Sequence, residues 1–307
     1  MSFIYRQILF GLLLSFAFFN IYQHRKIFFP KFDDALGNIH EYITNFRSYI
    51  REKPISPRQP CKSVKNENNY DLSQYKYKCP HHRYVTRMIE RSPLIIYIEN
   101  FLTPNEIQHL IDLVEPTFKP SKAIEENGSP SVGDFRTSHS AVIKSQQTPV
   151  VTCIEQRFAQ FQGDVEIENL EPLQAVKYIS DQHYKPHYDW FPFEEYTKVS
   201  GQRVTSFFTY LQANCSMGET EFVNITFNAT SHRQFCDILT CDENSPKAGI
   251  RFRPLPGNSI FWFNIDEVGE EDYMTYHAGR APGKNGLKIG LNTWTRAKKY
   301  FPMPKQN

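Results

Sequence analysis

His187 and Asp189 stand two residues apart in the stretch HYKPHYDWF, residues 183–191, with Tyr188 between them and Trp190 after. Along an extended strand alternate side chains share a face, so the imidazole and the carboxylate would point the same way. One reading of the pair is a metal site: two histidines and one carboxylate form a facial set that leaves positions of Fe(II) open for a cosubstrate and O2. The other is a His–Asp pair bonded to each other on a sheet face, with no ion. The metal reading needs a second histidine, and His232 and His277 are the two that follow Asp189. His232, in TSHRQFC, reads as an exposed loop. His277, in YHAGR, precedes the last strand-like run and is the better third ligand. His81, His82 and His139 lie in polar surroundings upstream and read as solvated.

A cosubstrate with two carboxylates needs a cation for the end that a metal does not bind. In KIGLNTWTR (288–296), Lys288, Gly290, Asn292 and Trp294 fall on one strand face, and Lys288 follows His277 by eleven residues. Its ammonium can therefore face the same space, with Trp294 as a wall. The plain alternative is an edge-strand surface lysine. Tyr178, nine residues before His187, adds a hydroxyl donor for a carboxylate.

The elements that must position these groups are short strands. LQAVKYI (173–179), HYKPHYDWF, VTSFFTYLQ (204–212), TEFVNITF (220–227), NSIFWFNI (258–265) and KIGLNTWTR are rich in β-branched and aromatic residues and are separated by Gly, Pro, Asn or Asp. Pro186 marks an edge or a bulge, because it has no N–H for the ladder. Before them, PLIIYIENFL reads as a strand, and Thr103-Pro104-Asn105-Glu106 is a capping box that opens a helix with Ile107, Leu110, Ile111 and Val114 on one side. A second helix is expected from Pro149 to Gln162. The pattern predicts a β-rich α+β fold, a two-sheet sandwich or barrel with the helices packed outside one sheet.

A net charge of +2 gives no argument for nucleic acid, and none is expected as a partner. Six cysteines, Cys61, Cys79, Cys153, Cys215, Cys236 and Cys241, lack C-x-x-C spacing and are compatible with disulfides, Cys61 with Cys79 among the possible pairs. Sequons at Asn127, Asn214, Asn224 and Asn228 are glycosylation acceptors if the chain enters the secretory lumen. Residues 8–22, ILFGLLLSFAFFNIY, form an apolar run that a signal peptide or a short membrane anchor could supply. Phenylalanines around the one small-residue exit favour an uncleaved signal anchor. The expected organisation is an anchor over 1–25, a luminal stem over 26–91 and a catalytic domain over 92–300. The insert Asn224–Ala248, with two sequons and two cysteines, reads as a disulfide-closed loop.

Over residues 92–297 the order of motifs resembles the iron(II)/2-oxoglutarate-dependent prolyl 4-hydroxylases of the collagen-modifying type. The matching text is ENFLTPNEIQHLI, Arg136-Thr-Ser138, KYISDQHYKPHYDWF, RVTSFFTYL, GETEF, RPLPGNSIFWF and YHAGRAPGKNGLKIGLNTW. The resemblance implies a double-stranded β-helix, or jelly roll, with His187, Asp189 and His277 on iron. Lys288 would hold the far carboxylate of 2-oxoglutarate, with Tyr178 and Asn292 beside it. Arg136, Ser138, Glu171, Tyr184 and Trp294 fall where the family lines its peptide groove. The implied enzyme is a procollagen-proline 4-dioxygenase-like oxidoreductase. It would couple decarboxylation of 2-oxoglutarate to hydroxylation at C4 of a proline in a polypeptide substrate, with ascorbate restoring the iron. The implied location is the endoplasmic reticulum membrane with the catalytic domain luminal, the Golgi being the alternative, and no partner subunit is specified.

The chain departs from the family pattern at Met217, in place of a glycine before Gly218, at Asp181, and at Asn292, where a threonine is common. The same iron chemistry on lysine or another side chain, a luminal binding protein that has lost turnover, and a zinc hydrolase are the competing readings. Lys288 and Trp294 have no task in the last.

Overall fold

The computed structural model describes residues 79–124, 130–241 and 249–302. The expected anchor, most of the stem, Cys61 and the Asn127 sequon lie outside the described residues. In chain order the strands are β1 (Val85–Arg91), β2 (Leu94–Glu99), β3 (Lys119–Pro120), β4 (Ala123–Ile124), β5 (Pro130–Ser131), β6 (His139–Val142) and β7 (Gln174–Ile179). They continue as β8 (Tyr184–His187), β9 (Arg203–Asn214), β10 (Thr220–Thr226), β11 (Gly249–Phe252), β12 (Ser259–Phe263), β13 (His277–Gly279) and β14 (Leu287–Arg296). The helices are α1 (Pro104–Val114), α2 (Pro149–Phe161) and the single turn α3 (Ala229–His232).

One eight-stranded sheet runs in the order β1-β2-β12-β9-β14-β7-β6-β3, and a four-stranded sheet runs β11-β10-β13-β8. From β7 onward the chain passes back and forth between the two sheets. Pairing within both is antiparallel. That winding is the double-stranded β-helix, and the jelly-roll expectation holds.

Each central strand of the large sheet is covered twice, which explains its unbroken apolar text. One face of β9 carries Phe207 and Leu211 into a core shared with α1 and α2, where Phe101, Phe158, Phe161 and Phe261 also meet. The ring of Phe207 lies 4.8 Å from Phe158 and 4.7 Å from Phe261. The other face carries Phe208 and Tyr210 into the core between the sheets, with Tyr97, Phe222, Phe252 and Trp262. In β12 all five residues, SIFWF, are buried.

The capping box forms as the sequence predicts. Thr103 Oγ1 accepts from Glu106 N, and Glu106 accepts from the Thr103 backbone at 2.8 Å. The same Glu106 is fully buried and receives a two-pronged bond from Arg157 of α2, at 2.6 and 2.8 Å. One carboxylate thus caps α1 and ties it to α2.

Several expectations are corrected. Cys79 is bonded to Cys153, not to Cys61, and Cys236 is bonded to Cys241. The sheet begins at Val85, upstream of the expected start at residue 92. His232 is not exposed: it is 2% accessible, its Nδ1 accepts from Asn228 N and its Nε2 meets Glu90 at 2.6 Å. It pins the 224–241 segment to β1, and Arg87 does the same through Asp237 at 2.6 Å. His139 lies in β6. Among the described residues no helix is long and apolar enough to cross a membrane.

Arg157→Met should lower stability by about 3–5 kcal/mol, because it removes the guanidinium whose charge offsets the buried Glu106 carboxylate. Urea unfolding reads this. A loss below about 1 kcal/mol would show that Glu106 finds other compensation.

Candidate active site

The register of β13 against β8 builds the centre. His277 sits directly opposite His187, and the ladder then shifts so that Gly279 meets Tyr184. On its other side β13 is held by β10 through Phe222–His277, Glu221–Ala278 and Thr220–Gly279. Strand β8 is the edge of the small sheet and contains Pro186, as an edge strand permits. Asp189 lies two residues beyond the end of β8. Its approach to His187 therefore comes from the bend after the strand, not from strand alternation.

Both imidazoles are fixed by the carbonyl two residues earlier. His187 Nδ1 lies 2.8 Å from Lys185 O and His277 Nδ1 lies 2.8 Å from Thr275 O. A carbonyl only accepts, so each Nδ1 carries a proton, and Nε2 is the nitrogen that each ring turns to the centre. Those two Nε2 atoms face Asp189, at 3.9 Å from Oδ1 and 3.7 Å from Oδ2. Neither distance is a hydrogen bond. One ligand atom from each of the three residues lies within 4.8 Å of the others. Burial, then His277, push the His187 imidazole well below its usual range, so the ring is neutral. Burial opposes ionisation of Asp189, but its charged surroundings, Arg203 among them, outweigh it and lower its carboxyl. Two imidazole nitrogens and a carboxylate converging on one point, none hydrogen-bonded to another, fit a divalent cation, and imidazole with carboxylate suits Fe(II).

A cavity of about 1250 Å³ opens onto this centre. Tyr184 stacks on His187 at 3.5 Å, and the Arg136 guanidinium lies 4.6 Å over the outer face of Tyr184. Arg136 also donates to Gln174 Oε1 at 3.0 Å. On the far wall Glu171 takes both prongs of Arg203, at 2.7 and 2.8 Å, and a third bond from Arg296 at 3.1 Å. The same Arg203 lies 3.8 Å over Trp294. Glu171, Tyr184, Arg136 and Trp294 thus line one cavity with the triad, as do Tyr178 and Asn292. Asn292 donates to Gln174 Oε1 at 3.3 Å. Ser138 does not line it: the hydroxyl is buried against Ser121 and the Arg136 Nε.

Lys288 is fully buried, as its strand position predicts, and is not a surface lysine. Its ammonium donates to Gly218 O at 2.7 Å and Arg280 O at 3.2 Å and sits over the Tyr178 ring. It lies behind the cavity wall, not in the lining. Burial lowers its pKa to about 7. Two positions away Gly290 admits the Phe208 ring, which any side chain at that glycine would strike. Arg203 and Arg296 were not among the sequence-based candidates. The signal is an arginine at the first position of β9 and another at the last position of β14, both on strands that are otherwise mostly buried.

Residues 173–296 match the family model of the 2OG-Fe(II) oxygenase superfamily. The chain is 30% identical over 208 residues to Prolyl 4-hydroxylase 5 of Arabidopsis thaliana, covering 67% of this chain and 69% of that protein. It is 27% identical to the prolyl 4-hydroxylase subunit alpha-2 of Gallus gallus, over 66% of this chain and 34% of that one. Among solved structures, the viral collagen prolyl hydroxylase of Paramecium Bursaria Chlorella virus-1 in its 2OG complex aligns with 24% identity and a TM-score of 0.47, covering 66% of this chain and 95% of that one.

Titration with Mn(II), followed by loss of the free-ion EPR signal, should show one bound ion per chain. Replacing His277 by Ala should weaken that binding by more than about 10-fold, since losing even an outer partner of a ligand costs about that much. Unchanged binding in the variant would remove His277 from the centre.

Proposed function

The chain belongs to the prolyl 4-hydroxylase family, and from that premise we propose that it hydroxylates C4 of proline in secretory-pathway polypeptides, consuming 2-oxoglutarate and O2. The overall balance is peptidyl proline, 2-oxoglutarate and O2 to peptidyl 4-hydroxyproline, succinate and CO2. The observation that carries this reading is the joint arrangement of His187, Asp189 and His277 with a buried lysine that forms no ion pair among the described residues. Fe(II), held by those three residues, supplies the site where O2 and the cosubstrate react.

The chain's own residues do the rest. Lys288 spends its charge on two carbonyl oxygens, so an incoming carboxylate offers a better partner in a water-poor space. Tyr178, with its ring under that ammonium, stands on the cavity side of it. Tyr184 and Trp294 are apolar walls suited to a proline ring, which offers little to hydrogen-bond. The Glu171–Arg203–Arg296 cluster, itself part of the lining, holds the Trp294 wall through Arg203, and Arg136 holds Tyr184.

Placement in the endoplasmic reticulum, by an anchor over residues 1–25 with the domain luminal, is part of the same proposal. It is supported by the exposed sequon asparagines Asn214, Asn224 and Asn228, by two disulfides, and by the apolar run at 8–22. Glycosylation at those three positions and at Asn127 follows from that placement, and ascorbate is the expected reductant.

Succinate release from purified full chain with Fe(II), 2-oxoglutarate and ascorbate should rise when a proline-rich peptide is added, and vanish in His187→Ala. Stimulation by a lysine-containing peptide and not by a proline-rich one would contradict the proline assignment. Lys288→Met should raise the KM for 2-oxoglutarate by about 10- to 100-fold, the worth of one charge-assisted bond, with a smaller change in kcat.

Binding should also carry a proton. In the free protein the Lys288 pKa is about 7, and a carboxylate partner raises it toward the ordinary lysine value. At pH 8 the bound state then holds more protons than the free state, so affinity falls as pH rises above 7. Calorimetry of 2-oxoglutarate binding in two buffers of different ionisation enthalpy should report net proton uptake at that pH. Equal heats in the two buffers would sink the assignment of that carboxylate to Lys288.

A further inference from the structure

One oxygen of Asp189 is already engaged. Ser206 Oγ, on β9, donates to Asp189 Oδ2 at 2.7 Å. The same Ser206 oxygen accepts from Asn264 Nδ2 at 2.8 Å, and Asn264 Oδ1 accepts from Trp262 Nε1 at 2.9 Å. Trp262, Asn264 and Ser206 are all buried, with Asn264 and Ser206 fully so. Each member has its proton direction fixed by the next. The indole has a donor only, so Asn264 must turn its oxygen to Trp262 and its NH2 to Ser206; the hydroxyl, having accepted, spends its proton on the carboxylate.

The chain closes on the second ligand as well. The Trp262 ring stands edge-on to the His277 imidazole, 4.9 Å between centroids at 66°, and Phe222 braces both, at 5.3 Å from Trp262 and 5.7 Å from His277. Asp189, in the bend after β8, and His277, on β13, are therefore tied through the opposite sheet, by β9 and β12. Ser206 and Asn264 do not line the cavity and reach it only through Asp189 and Trp262, which do.

We propose that Ser206, Asn264 and Trp262 are positioning residues that hold Asp189 and His277 as one unit, with the Ser206 bond to Oδ2 orienting the carboxylate so that Oδ1 is favoured for the cation. This rests on the reading of the triad as a metal centre. Its physical basis is cost: a carboxylate at the end of a bend has two oxygens and a free torsion, and three buried donors in series select one orientation. A facial set that must leave positions for two further reactants needs a carboxylate that binds through one oxygen. Thr209 is the internal reference. It is a fully buried hydroxyl on the same strand, and its bond is to Ser259 at 2.9 Å rather than to a triad residue.

The test is Mn(II) affinity of the full chain by EPR, with the thermal midpoint of the metal-free protein measured alongside. Ser206→Ala should raise the Kd by about 10- to 100-fold, while Thr209→Ala leaves it within twofold at a similar change in midpoint. The visible absorption of bound Co(II), which reads coordination geometry, should change in Ser206→Ala and not in Thr209→Ala. If Ser206→Ala does not fold, Asn264→Leu, which removes the donor to Ser206 at similar volume, should give the same direction in both readouts. A Kd within twofold of wild type, or an equal loss in Thr209→Ala, overturns the relay and leaves the metal centre standing. Absence of Mn(II) binding by the wild-type chain overturns the metal centre, and the relay with it.

Discussion

The pairing of β13 with β8 is the constraint on which the site depends. A shift of one residue would send the His277 side chain to the opposite face of the small sheet and dismantle the triad. The register is pinned from three directions. Strand β10 holds β13 on its other edge, with Phe222 opposite His277. Tyr178 of the large sheet packs so near Gly279 that a side chain there would press on its hydroxyl. The aromatic core between the sheets, Phe222 and Trp262 in particular, buries the His277 ring itself. The large sheet and its helices thus serve a pairing only three residues long.

Charge is arranged with equal economy. Glu171 is matched by Arg203 and Arg296, Glu221 by Arg280 at 2.6 Å, and Glu106 by Arg157. Beside the cavity two features depart from that matching, the Asp189 carboxylate between two imidazoles, and the Lys288 ammonium bonded to carbonyls. Buried charges are costly without a partner. One place calls for a cation and the other for an anion, which are the two charges that Fe(II) and a dicarboxylate bring.

Much of this was legible in the sequence because it follows from local periodicity. The capping box at Thr103, the doubly covered strands FFTYL and SIFWF, and the edge position forced by Pro186 are consequences of three to five neighbouring residues. His277 could be preferred to His232 from context alone, although His232 turned out to be buried against Glu90, a partner 142 residues away in the chain. What stayed hidden is long-range. The Cys79–Cys153 bond spans 74 residues and has no spacing signature. Asp189 reaches its place through a bend, which alternation does not describe. Lys288 lies on the predicted face, yet its ammonium turns to Gly218 and Arg280, and only the packing of Phe208 across Gly290 shows why the strand needs a glycine there. Ser206 looked like one more small residue in an apolar strand.

The central claim is that one cation is shared by three side chains drawn from a strand, the bend after it and the strand beside it. An anomalous difference map at the iron edge, from crystals of the protein grown anaerobically with Fe(II), tests it most directly. The account predicts a single peak within bonding distance of His187 Nε2, His277 Nε2 and one oxygen of Asp189. A peak bonded to fewer than these three, or one elsewhere with the triad unliganded, would contradict it.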